Sequence, residues 1–166
     1  HCDLIHQQFS FLVKEEPALK DDVANEQQQA AKDLWQLQLD AEETQSILNH
    51  WYSAYDMPAT GITIGENVHR QLGIFKQDLT TQRIGQRGLT TLNNLMPVIF
   101  HKILSSSAND HAELLKRILT VLHAILGRTA YLQLLFENQA ALFHLVKLCA
   151  ASPWVTEQIA RFPLLL

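Results

Sequence analysis

The sequence predicts an all-α fold, a multi-helix bundle with a stack of short C-terminal helices, and three observations predict it. Apolar residues recur at three- and four-residue spacing along most of the chain, with no strand-type alternation. Only six glycines and five prolines interrupt 166 residues. Three pairs, Asn25 with Gln28, Asp40 with Glu43 and Thr63 with Glu66, match the capping box, in which one side chain accepts from the N3 amide and the other reaches back. Helices are therefore expected to begin near 26, 41 and 64.

In chain order, His1 to Phe9 reads as the middle of an amphipathic helix without a start signal. The polar stretch Lys14–Asn25, with Glu15-Glu16-Pro17 and Asp21-Asp22, reads as a linker, because proline disfavours helical dihedrals in the residue before it. Leu34, Trp35 and Leu37 mark the apolar side of the next helix, and Ile47, Leu48, Trp51 and Tyr55 that of the one after. Beyond a turn at Asp56–Gly61, a short helix from Glu66 to about Leu79 bears Val68, Leu72 and Phe75 and is interrupted by Gly73. A long helix follows Gly88, with Pro97 inside it expected to kink it, since the ring crowds the carbonyl four residues back.

Asn109 is a candidate cap for a helix whose leucines, isoleucines and valine cover more than half its circumference, which predicts burial on several sides. Gly127 is expected to end it in the left-handed conformation, Thr129 to open a short helix to about Phe136, and Asn138 to cap another from Gln139 to Cys149. Ser152-Pro153 is a cap followed by proline at the first helical position. The chain then stops in the apolar run Phe162–Leu166, and both ends read as cuts through a longer protein.

Composition excludes several function classes. Hydrophobic residues make up 47% and charged ones 18%, with no run of about 18 apolar residues that a membrane span needs. The net charge of −4, with lysine and arginine scattered, lacks the basic footprint of a nucleic-acid binder. Cys2 and Cys149 stand far apart without a Cys-x-x-Cys motif, and no secretory leader opens the sequence, which fits a cytoplasmic protein.

Catalytic motifs are missing in the same way. None of the eight histidines has the i, i+4 partner of a helical zinc clamp, and His111-Ala112-Glu113 is not followed by the Pro-Cys-x-x-Cys of a zinc deaminase. No nucleophile elbow or phosphate loop occurs, and Cys149 reads as a buried, inert thiol with nothing cationic nearby to lower its pKa. Trp35, Trp51 and Trp154 read as packing residues. The sequence therefore supplies no catalytic, cofactor-binding or metal-ligating residue. It offers one interface candidate, the loop of Arg83, Gly85, Arg87 and Gly88 at the start of the long helix, with Arg128 and Arg161 as further cations for an anion or acidic partner. The plainer reading is that the glycines only turn the chain.

Three blocks, in order, carry a family resemblance. Ile84-Gly85-Gln86-Arg87-Gly88 with Leu95-Met96-Pro97, then Gly127-Arg128-Thr129-Ala130-Tyr131-Leu132 with Ala140-Ala141-Leu142, then Leu145 to Leu166 resemble the bacterial glutamine synthetase adenylyltransferases. The resemblance implies a parent enzyme with two nucleotidyltransferase halves, one attaching AMP from ATP to a glutamine synthetase tyrosine and the other removing it, under control of glutamine and the P-II protein. Each half holds magnesium with an Asp-x-Asp pair. The aspartates here, at 3, 21, 22, 33, 40, 56, 78 and 110, contain no such pair. The segment is thus expected to be the central helical region: residues 1–83 follow the first half, with 14–25 a linker and 56–81 an insertion, and 84–166 lead into the second. Its expected partners are the flanking halves, with glutamine synthetase or P-II as docking alternatives and a plain structural spacer as a third reading.

Overall fold

The structure, a computed structural model, describes residues 20–54 and 64–165. Every regular element among them is helical. Helix α1 takes in the described residues 20–36, followed by α2 (Ala41–Ala54), α3 (Gly65–Thr81), α4 (Gln86–Leu104), α5 (His111–Ile125), α6 (Thr129–Glu137), α7 (Gln139–Ala151), α8 (Pro153–Arg161) and a 3-10 turn at Pro163–Leu165. The predicted class, with its terminal stack of short helices, is what forms.

Local chemistry sets the boundaries. At α2 the capping box closes reciprocally, the Glu43 amide donating to Asp40 Oδ1 at 2.8 Å and the Asp40 amide to Glu43 Oε2 at 2.9 Å. Asn138 and Ser152 cap α7 and α8 through Ala141 and Val155, as their positions predict. Other expectations are corrected. Residues 20–25 belong to α1 and not to a linker, so Asn25 is an exposed interior residue; no breaker separates Lys20 from Glu26, and the helix runs straight through. Gly73 does not interrupt α3, whose ladder continues to Thr81. The cap of α5 is Asp110, which accepts from the Glu113 amide at 3.0 Å, and not Asn109. Gly127 does not take the left-handed conformation; the turn closes instead by the Arg128 amide donating to Ile125 at 2.9 Å. The expectations for residues 1–19, for Tyr55 and for Thr63 lie outside the described residues.

At the start of α3 a tertiary contact stands in for a local cap. The Gly65 amide donates to Gln45 Oε1 of α2 at 2.7 Å, and a Cβ on Gly65 would sit 2.6 Å from the Cβ of Gln45, so only glycine permits this approach.

One core joins the eight described helices. It contains Leu34 and Trp35 of α1, Leu48 and Trp51 of α2, Val68, Leu72 and Phe75 of α3, seven residues of α4 from Leu92 to Leu104 and eight of α5 from Ala112 to Ile125. Its far side is Leu132 and Leu135 of α6, Leu142, Leu145, Val146 and Cys149 of α7 and Ile159 of α8. Helix α5 is central and packs against α3, α4, α6, α7 and α8. Two expected core residues are outside it. Leu37 is 48% exposed where α1 ends, and Trp154 is 66% exposed because the core side of α8 is set by Thr156 and Ile159.

Candidate functional site

The residues singled out for binding fall at the place where two helices begin side by side. Gly85, in extended backbone (φ −64°, ψ 157°), is the N-cap of α4, and Arg128 is the N-cap of α6; neither start receives a side-chain cap. Gly88 is buried in the first turn of α4, where an added Cβ would lie 3.1 Å from Thr129 Oγ1 and 3.2 Å from Ile84 Cγ2. The glycine thus lets the first residue of α6 close upon α4. One turn deeper, the Thr91 hydroxyl stands 3.0 Å from the Arg87 carbonyl and 3.1 Å from Gln133 Oε1 of α6, fixing the two helices in register.

The electrostatics of this junction are one-sided. Helix starts carry partial positive charge and usually attract acidic residues. The first turns of α4 and α6 hold none. Arginines stand there instead: Arg83, Arg87 and Arg128 are exposed, with the Arg128 guanidinium 5.7 Å from the centre of the Tyr131 ring. Of the six interface candidates, Arg83, Gly85, Arg87, Gly88 and Arg128 therefore belong to one locality. Arg161 stands apart in the last turn of α8, an element packed on α5 and α7.

Polar side chains converge in a second place that sequence reasoning missed. A groove of about 630 Å³ runs between α3 and α5. One wall is Asn67, Arg70, Gln71, Ile74 and Asp78; the other is Glu113, Lys116, Thr120 and His123. His123 reaches Asp78 at 3.7 Å and Gln82 at 2.9 Å, and the buried Gln71 Oε1 has no hydrogen-bond partner. The signal was present as i, i+3 and i, i+4 spacing on each helix separately, but nothing local says that the two polar stripes face each other.

Elsewhere a tyrosine and a histidine join α2 to α5. His111 opens α5, its Nε2 donating to the Ser106 carbonyl at 3.2 Å, so that Nδ1 accepts from the Tyr52 hydroxyl at 2.7 Å. Burial pushes the His111 pKa down, and burial followed by the Asp110 charge pushes Tyr52 up to about 12. Cys149 is buried as expected, yet a cation does lie near it: Arg117 of α5 donates to the Cys149 carbonyl at 2.8 Å. Burial outweighs the Thr156 hydrogen bond and the Arg117 charge, and the thiol pKa is raised. Among the described residues no three histidine, cysteine, aspartate or glutamate side chains converge as a cation site. No described helix is long and apolar enough to cross a membrane.

No protein-family model matches the chain. Comparison with curated proteins finds bifunctional glutamine synthetase adenylyltransferase/adenylyl-removing enzymes. The chain is 41% identical to that of Alteromonas mediterranea over 164 residues, 36% to that of Idiomarina loihiensis over 163, and 35% to that of Psychromonas ingrahamii over 164. These matches take in 98%, 98% and 99% of the chain but only 16%, 15% and 16% of each relative's own length.

Proposed function

Since the chain belongs, as one segment, to the family of bifunctional glutamine synthetase adenylyltransferase/adenylyl-removing enzymes, we propose that it is a non-catalytic helical region that positions the two nucleotidyltransferase halves and couples them. In this reading ATP and magnesium act in the flanking halves, in the cytoplasm, and the bundle carries the influence of glutamine and P-II from one half to the other.

The observation that supports it most is the placement of α5. This helix packs on both the earlier α3 and α4 and the later α6, α7 and α8, and eight of its residues are buried in the one core. Tightly packed interiors pass a displacement on because they cannot deform continuously. In the full-length enzyme, replacing the bundle by a flexible linker should leave both opposing activities measurable and abolish their reciprocal response to glutamine and P-II. Normal regulation of both activities in that variant overturns the reading.

The junction of α4 and α6 favours a second reading, a docking point for an acidic surface of P-II or glutamine synthetase. Its support is the pairing of two helix starts with arginines and no acid in either first turn. The double variant Arg87→Glu, Arg128→Glu in the full-length enzyme should weaken the response to one of these partners at least tenfold while leaving unstimulated activity unchanged. An unaltered response to both partners overturns it.

A further inference from the structure

Large apolar side chains are exposed unevenly over this molecule. In the described residues before 134 only Leu37 and Ile74 are exposed, whereas Leu134, Phe143, Leu148, Trp154 and the Phe162–Leu165 end all lie on α6, α7, α8 and the 3-10 turn.

Helix α7 makes the asymmetry plain. Leu142, Leu145, Val146 and Cys149 face the core. At 3.6 residues per turn the other half of the cylinder is Gln139, Ala140, Phe143, His144, Lys147, Leu148, Ala150 and Ala151, all exposed, with Lys147 the one formal charge. The outward side of α2, by comparison, bears Glu42, Glu43, Ser46, Asn49 and His50. A helix that is apolar on both sides is ordinarily covered on both. Trp154, 66% exposed at the start of α8 directly after α7, and Leu164, 85% exposed beyond its end, continue the same character along the last elements. Exposed apolar side chains gathered on consecutive elements in this way are the raw material of an interaction site.

The length of the relatives bears on what could cover it. The chain accounts for 16% of the length of the Alteromonas relative, so most of the family's polypeptide lies outside this segment. A unit on the same polypeptide is held at an effective concentration of about millimolar, which a freely diffusing partner does not approach. Elements consecutive in sequence are usually adjacent in space, and the exposed apolar side chains sit on the last four elements. We propose that the outward face of α7 and α8, centred on Phe143 and Trp154, is the seat of the folded unit that follows this segment in the longer family chain. The proposal rests on the family reading above and gives the coupling role a contact surface.

The test uses the full-length enzyme with a photoreactive aromatic at one position, Phe143→p-benzoylphenylalanine or Trp154→p-benzoylphenylalanine, and Ile74→p-benzoylphenylalanine on α3 as control. On irradiation, both test positions should cross-link within the same molecule to peptides that follow this segment, and the control should not. Cross-links to a second copy in an isotopically mixed sample, to peptides preceding the segment, or none at all would each overturn the proposal. The unsubstituted enzyme gives an independent reading: hydroxyl-radical oxidation of Trp154 should be at least tenfold slower in the native than in the denatured chain, and equal rates overturn the proposal should the variants not fold. A linker-replaced enzyme that is still regulated would remove the coupling role but would not bear on the cross-links formed by the intact chain, so the two failures are distinguishable.

Discussion

Gly65 is set by steric necessity more tightly than any other residue described above. Its missing Cβ leaves room for Gln45, whose side chain then takes up the first amide of α3. Gly65→Ala puts a methyl group 2.6 Å from the Gln45 Cβ, with the Gln45 backbone only 2.8 Å away, so no side-chain rotation relieves it. The expected loss is about 1–3 kcal/mol, read as a lower denaturant midpoint. His111 and His101 make a different prediction. Burial depresses both pKa values below the ordinary 6.5, so above that value neither state takes a proton and their neutral forms cost nothing. As pH falls through 6.5 the unfolded chain is protonated first, and stability declines until the folded pKa values are reached. Denaturation midpoints at about pH 7.5 and about pH 5.5 should differ in that direction, and His111→Asn should shrink the difference. A midpoint that rises on acidification contradicts this assignment.

Helix boundaries were legible wherever the deciding partners are neighbours in sequence. Asp40 and Glu43, Asn138, and Ser152 before Pro153 work within three or four residues, so spacing alone identifies them. Asn25 with Gln28 has the same spacing and no capping role, because Lys20 to Ala24 already continue the helix. Gly73 misled for a related reason: glycine weakens a helix interior by about 1 kcal/mol, but Val68, Leu72 and Phe75 bury a whole side of α3 and outweigh it. A methyl group at that position would meet no heavy atom within 4 Å. Gly73→Ala should therefore stabilise the chain by about 0.5–1 kcal/mol, measured by thermal or chemical unfolding. A destabilised alanine variant would mean that the glycine serves some contact outside this segment. Trp154 escaped sequence reading because its exposure depends on how α8 is rotated, which Thr156 and Ile159 settle only once α5 is in place beneath them.

At the scale of the whole molecule, the class and helix order were readable from periodicity, whereas both polar convergences depend on pairings between distant elements. Arg87 and Arg128 are 41 residues apart in sequence, and only the closing of Gly88 on Thr129 makes them neighbours. The walls of the α3 and α5 groove meet for a similar reason, each helix being turned by its own buried stripe. The single core implies a single unfolding event. Leu122→Ala, at a fully buried position of α5, should cost about 2–5 kcal/mol and shift the signals of Trp51 and of a probe on α7 together. Two separated transitions would show that the early and late helices are independent units.

The short helices at the end have a consequence for how the protein is made. Helices α6 and α8 have nine residues each, below the roughly 12–15 at which an isolated helix becomes even marginally stable in water. Neither can persist as the nascent chain leaves the ribosome until α5 offers its side. Leu132 and Leu135 of α6 and Ile159 of α8, which end up in the core, are therefore uncovered during synthesis until these helices dock. That interval is when chaperones would find the most to bind.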